Sequence, residues 1–81
     1  MIVRYFASVR AAAGVGEEVV EATSVGAALA AVRHRHDASF ARLLEVCSFV
    51  VDGDPVGSRD PDAVTVAPDA VLDCLPPFAG G

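Results

Sequence analysis

Thr23-Ser24-Val25-Gly26-Ala27-Ala28-Leu29-Ala30-Ala31-Val32-Arg33-His34-Arg35-His36 is the strongest helical pattern in this chain of 81 residues, and the fold follows from what flanks it. Val25, Ala28, Leu29, Val32 and His36 fall at i, i+3, i+4, i+7 and i+11, which is one face of an amphipathic helix. Either Thr23 or Ser24 can cap its start, because a hydroxyl accepts a hydrogen bond from an amide that has no partner within the first turn. Gly26 weakens that turn, while Arg33 and Arg35 put positive charge at the C-terminal end, where the helix dipole favours it. The helix is expected to end near His36 or Asp37.

Upstream, Ile2 to Phe6 alternates β-branched and aromatic residues as a strand does, with Ile2, Arg4 and Phe6 on one side and Val3 and Tyr5 on the other. Ala7 to Ala13 has helix-forming composition but is short and is broken by Gly14 and Gly16, so a loop with at most one helical turn is expected. Glu17 to Ala22 sets Val19 and Val20 among acidic residues, as suits an edge strand antiparallel to the first. Downstream, Phe40, Leu43 and Leu44 fit a short second helix or an apolar loop within Ser39 to Val46. Ser48 to Val51 reads as a strand turning at Asp52-Gly53, a pair that tolerates the positive φ of a tight hairpin. Val56 can begin a short return, Val64 and Val66 another extended piece, and Ala70 to Leu75 the last strand. This order predicts an α+β fold: a mixed sheet of four to five strands with one main helix across one face and a right-handed crossover bringing later strands beside the first.

A chain of this size supports one domain, taken as residues 1–75, followed by an extended tail, 76–81. Its hydrophobic fraction of 53% and mean hydropathy of +0.47 favour a compact globule. No apolar run approaches the ~20 residues of a membrane span, and the chain begins directly in a strand-like segment, so a cytoplasmic location is expected. The net charge of −5 argues against nucleic acid or an anionic membrane as partner and favours a partner with a basic face. Cys47 and Cys74 read as reduced, packed thiols. All six basic residues are arginine; there is no lysine.

Catalytic and metal patterns are weak. His34 and His36 stand two apart on a helix and point roughly 200° away from each other, which favours one exposed and one packed ring over joint metal ligation. Gly14-Val15-Gly16 lacks the third glycine and the strand-to-helix setting of a dinucleotide loop. Asp52, Asp54, Asp60, Asp62 and Asp69 lack the regular spacing and bidentate glutamate of a calcium loop. No metal, no cofactor and no catalytic acid or base is expected.

The remaining feature is the end of the chain, Leu75-Pro76-Pro77-Phe78-Ala79-Gly80-Gly81. Two prolines favour an extended path, two glycines carry no side chain, and nothing after Asp73 is charged except the terminal carboxylate. Only residues without side chains can follow a carboxylate into a channel narrow enough to exclude water. The expected reactive group is therefore the carboxylate of Gly81, with Gly80 giving access, Pro76, Pro77 and Ala79 shaping the arm, and Phe78 anchoring it in a partner. A carboxylate is a poor electrophile and must first be activated, for instance as an acyl adenylate.

Taken with the pattern around Phe6-Ala7-Ser8-Val9-Arg10 and the Thr23-Ser24-Val25 helix start, Pro76-Pro77-Phe78-Ala79-Gly80-Gly81 resembles the small subunit of molybdopterin synthase, a ubiquitin-like β-grasp sulfur carrier. The resemblance covers essentially the whole chain, and its most specific part is the tail. It implies that an adenylating, E1-like enzyme activates Gly81, that a sulfur donor protein converts it to a thiocarboxylate, and that the large subunit of molybdopterin synthase receives the tail for molybdenum cofactor biosynthesis. Two positions depart from that family: Asp73-Cys74-Leu75 stands where an apolar and aromatic segment is common, and Asp52 where Asn is frequent. Related carriers that share the Gly-Gly end serve thiamine thiazole or cysteine synthesis. A ubiquitin-like protein modifier, joining Gly81 to amines, and a docking module are the other classes open to such a tail.

Overall fold

The first strand, β1 (Ile2–Tyr5), buries Val3 and Tyr5 and leaves Arg4 exposed between them, the alternation its sequence requires. In this computed structural model, which describes residues 1–77, β1 is followed by α1 (Ala7–Ala13), β2 (Glu17–Val19), α2 (Val25–Arg35) and α3 (Ala38–Glu45). Then come β3 (Ser48–Val51), β4 (Asp54–Pro55), a 3-10 turn at Pro61–Ala63 and β5 (Val71–Leu75). The sheet has five strands in the order β2-β1-β5-β3-β4. β1 and β5 run parallel, and the remaining pairs are antiparallel. The mixed sheet is thus the one expected, with the last strand beside the first.

α2 begins where the sequence places it. The Ser24 hydroxyl accepts a hydrogen bond from the Ala27 amide at 3.1 Å, and Val25, Ala28, Leu29 and Val32 are buried. Each large member of that face contributes about 1.5–3 kcal/mol through the apolar area it removes from water. Gly26 has a packing reason that its helix propensity hides. A Cβ there would lie 3.1 Å from the Cα of Asp62, so the bare backbone is what lets the Pro61–Ala63 turn sit against α2. The helical option for the next segment is also realised, since the Asp37 carboxylate accepts from the Phe40 amide and starts α3.

Two expectations need correction. Ala7–Ala13 is a seven-residue helix, not a loop with at most one turn. Its isolated propensity is inadequate, but Val9 is fully buried and Gly14, at φ 77°, closes the C-terminus by donating its amide to the Arg10 carbonyl. The main helix remains α2, with eleven residues, and the shorter α1 and α3 join it. In addition, the short return of the hairpin falls on Asp54–Pro55, just before Val56, whereas the Val64–Val66 piece is extended as expected and bridges Thr65 to Ser24. The hairpin itself turns as read, through Asp52 at φ 48° and Gly53 at φ 84°.

The helix face of the sheet carries a core of Val3, Tyr5, Leu72 and Cys74 packed with Val9, Leu29, Val32, Phe40 and Leu44. At its margin the Tyr5 hydroxyl donates to Glu18 Oε2, His36 Nε2 lies 2.7 Å from the same oxygen, and Arg35 Nη1 is 3.8 Å from Oε1. The Glu18 side chain is only 16% exposed. Burial alone would raise its pKa, but the hydrogen bonds from Tyr5 and His36, with the charges of His36 and Arg35, outweigh it and hold the carboxyl below its ordinary value. Burial and Glu18 itself push the Tyr5 hydroxyl far upward, so it remains a donor.

Glu18 therefore contributes stability that is present above its unfolded value near 4.5 and is lost as pH falls through the lower folded value. Glu18→Gln is expected to cost about 1–2 kcal/mol at neutral pH, as befits a charged hydrogen-bonding partner removed from a part-buried site. The melting-temperature difference from wild type should shrink as the pH is lowered through the carboxylate range. A difference that is constant with pH would contradict this.

Candidate functional site at the base of the C-terminal arm

The arm expected to carry the chemistry grows from the middle of the sheet. β5 lies between β1 and β3, with Tyr5 paired to Cys74 on one side and Ser48 paired to Leu75 on the other. A strand hydrogen-bonded along both edges is the most rigid base this fold offers. Beyond Leu75, Pro76 is half-buried and Pro77 exposed, and neither belongs to a regular element. Phe78, Ala79, Gly80 and Gly81, which carry most of the sequence-predicted site, lie outside the described residues.

Around the base, Phe6 is 38% exposed and Val46 59% exposed, flanking the strand end with apolar surface. The chain leaves β1 abruptly here, since Ala7 takes a positive φ of 50°, uncommon for a residue with a Cβ. On the face of the sheet away from the helices, Arg4 and Asp73 make a bidentate pair, with Nε to Oδ1 at 2.6 Å and Nη2 to Oδ2 at 3.0 Å. The Arg4 guanidinium also sits 5.8 Å from the centre of the Phe6 ring. So exposed a pair adds little to stability, and it lies on a face where Ile2, Val50, Val71 and Leu75 are interspersed with the polar Glu17 and Ser48.

Sequence reading singled out Asp73 only as a departure from a family pattern and missed its partner. Both residues alternate outward on strands that were recognised, but their meeting depends on the parallel register of β1 and β5, which no local signal encodes. Asp52 does more than form the turn that its sequence predicts. Its carboxylate also accepts from the Val71 amide at 2.9 Å and its own amide donates to the Val71 carbonyl, fastening the hairpin to the start of β5.

The two thiols are not poised for chemistry. Cys74 is fully buried, and desolvation, aided by the nearby Cys47 and Asp73, pushes it up to about 12. Cys47 is half-buried, donates Sγ–H to the Leu43 carbonyl at 3.1 Å and is also raised by burial. The histidines divide as expected, with His34 exposed and His36 packed against Tyr5 and Phe40. Among the described residues no helix is long and apolar enough to cross a membrane.

This sheet, with its helices on one face and its final strand central, is the ubiquitin-like β-grasp. The profile of the ThiS family matches residues 3–81, so the chain belongs to the ThiS family of ubiquitin-like sulfur carriers. The solution structure of small archaeal modifier protein 1 (SAMP1) from Methanosarcina acetivorans superposes with a TM-score of 0.84 at 19% identity, covering 99% of this chain and 94% of that one. The Haloferax volcanii HVO 2177 protein gives a TM-score of 0.75 at 25% identity, with coverage of 99% and 84%. A chain from the complex of subunits 1 and 2 of molybdopterin-converting factor from Helicobacter pylori 26695 gives 0.69 at 20% identity, with coverage of 99% and 96%. No curated protein matches the sequence.

Proposed function

We propose that this chain is the small subunit of a molybdopterin synthase, a cytoplasmic sulfur carrier whose reactive group is the Gly81 carboxylate. The observation that carries the reading is the Gly80-Gly81 end placed a few residues beyond a central, doubly paired strand, in a chain that the ThiS family matches through residue 81. Residues 1–75 act as the rigid base and residues 76–81 as the working arm. Fully extended, the six residues from Pro76 to Gly81 reach at most about 20 Å, enough to cross the wall of a partner and present the terminus inside it.

The chemistry falls on the partners. In an adenylating, E1-like enzyme, a Gly81 carboxylate oxygen attacks the α-phosphorus of ATP and pyrophosphate leaves. The terminal sulfur of a persulfide on a sulfur donor protein then attacks the acyl carbon, expelling AMP and forming an acyl disulfide. A thiol cleaves that disulfide, taking the donor sulfur and releasing the thiocarboxylate, which is ionised at neutral pH and nucleophilic. The large subunit encloses the arm, and the thiocarboxylate sulfur passes to the precursor of the molybdenum cofactor. This chain's own residues extend, anchor and give access: Pro76 and Pro77 limit the entropy lost on insertion, Phe78 fills an apolar pocket, Ala79 contacts the partner at the mouth, and Gly80 and Gly81 enter the narrow channel.

A second reading has its own support, since SAMP1 is called a modifier in name and is similar over almost the whole chain. Under that reading Gly81 is joined to amines of other proteins. Related sulfur acceptors, in thiamine thiazole or cysteine synthesis, would use the same arm. Mass spectrometry of the protein recovered from its host separates the classes. Replacement of one oxygen by sulfur at Gly81 is the expected result; a Gly-Gly branch persisting on other proteins, without that replacement, would overturn the carrier reading in favour of the modifier.

A further inference from the structure

An activated carboxyl group is a hazard to the protein that bears it. Any accessible amine or thiolate, on the same chain or on another copy, can attack the acyl carbon of an adenylate, expel AMP and form an amide or thioester. The inventory of such groups in this chain is short and can be completed from the sequence. There is no lysine, and the four residues from Phe78 to Gly81 carry no nucleophilic side chain. What is left is the Met1 ammonium and the two thiols, with side-chain hydroxyls and imidazoles as weaker or reversible acceptors.

Met1 and Cys74 are buried, and Cys47 is half-buried with its thiol hydrogen-bonded. The Met1 ammonium donates to the Val20 carbonyl at 2.7 Å, in a buried setting continued by the Val20 amide donating back to the Met1 carbonyl at 2.9 Å. Met1 as a whole is buried within the core cluster. To attack an acyl group its nitrogen would have to lose a proton, give up that hydrogen bond and leave the edge of the β1–β2 pair. Cys74 is fully covered between β1 and β3, and Cys47 keeps its thiol hydrogen directed at Leu43. Burial of both thiols disfavours the thiolate, the form that reacts. The Tyr5 hydroxyl is buried and bound to Glu18. Among imidazoles His36 is packed and His34 is exposed, but an acyl imidazole returns to the free ring by hydrolysis.

We infer that the fold withholds every strong nitrogen and sulfur nucleophile of the chain from acyl transfer, so that an activated Gly81 passes neither to its own chain nor to a second copy. The significance of this rests on the carrier reading above, but the property is one of the folded chain and is tested without any activation of Gly81. It also makes the rarity of basic choices intelligible. Arginine supplies the positive charge at Arg4, Arg35 and Arg59 that pairs with Asp73, Glu18 and Asp54, without offering an amine.

The test uses the full chain and two probes: the N-hydroxysulfosuccinimidyl ester of acetic acid for amines and N-ethylmaleimide for thiols, each followed by intact mass measurement. Because reaction must wait for local opening, the native chain should acylate at Met1 and alkylate at Cys47 and Cys74 at least ~10-fold more slowly than the same chain unfolded in guanidinium. Ser58→Lys, on an exposed loop, supplies the control for accessibility: it should gain one acetyl group at the rate of a free lysine while melting like the parent. Native Met1, Cys47 or Cys74 reacting at the unfolded rate would overturn the inference. Failure to find sulfur at Gly81 would remove the carrier reading and leave this result standing, so the two outcomes are distinguishable.

Discussion

Deleting Gly81, or adding one residue after it, is expected to abolish sulfur transfer while the domain melts as before. The reasoning is geometric. Each residue of extended chain advances the terminus by about 3.3–3.6 Å, so either change moves the reacting carboxyl by several bond lengths from the position a partner has organised for it. Misplacement of 1 Å in such a site can cost about 100-fold in rate, and a displacement more than three times as large should leave no measurable turnover. The fold should be indifferent to the change because the last strand residue is Leu75, paired with Ser48, and it lies six residues before Gly81. Thermal and urea midpoints should agree with the parent within about 0.5 kcal/mol. Assay of the truncated and extended chains with the adenylating enzyme, the sulfur donor and the large subunit decides the matter. Undiminished transfer by either variant would refute the assignment of the reactive group to Gly81.

The likeness to a protein named as a modifier and to a subunit of molybdopterin-converting factor is one of fold, and it is compatible with the proposed division of labour between domain and arm. If the domain only holds the arm and the arm only presents a carboxyl group, then one fold serves either outcome, and the outcome is chosen by what encloses the terminus. The surface proposed to meet a partner lies around β5, where Phe6 and Val46 are exposed and the Arg4–Asp73 pair lies on the open face of the sheet.

What the sequence disclosed depended on whether the determining interaction was local. α2 was legible because an apolar face and a capping hydroxyl at Ser24 are both contained in a dozen residues, and the hairpin because Asp52-Gly53 carries its own backbone preference. α1 was not, since its stability comes from Val9 in the core and from packing on α3, contacts that span the chain. Gly26 was legible as a weak helix residue but not as the place where the Pro61–Ala63 turn closes on α2. In the same way the arm stands out by its composition, whereas the neighbours of its base, Arg4 and Phe6, are brought there only by the pairing of β1 with β5.

Phe40→Ala should be the most damaging substitution in the domain that leaves the arm untouched. Phe40 is fully buried in α3, meets Tyr5 edge-on with ring centres 5.4 Å apart and packs on His36 at 4.4 Å. Truncating such a ring costs about 3–5 kcal/mol, from lost transfer free energy and the cavity that the surrounding side chains only partly refill. At the usual ~0.05–0.15 kcal/mol per residue, a domain of this length holds about 4–12 kcal/mol in all, so the variant would forfeit a large part of it. The urea midpoint should fall accordingly with the slope m nearly unchanged, while Val46→Ala, at an exposed position, should stay within about 0.5 kcal/mol of the parent. A loss below about 1 kcal/mol in Phe40→Ala would mean that α3 is not integral to the core. The functional consequence differs in kind from that of altering Gly81. A carrier weakened at Phe40 should still transfer sulfur in proportion to the fraction folded and should recover when a partner binds and stabilises it, because its reacting group is intact. A carrier altered at Gly81 should remain folded and inert, and no partner concentration should restore it.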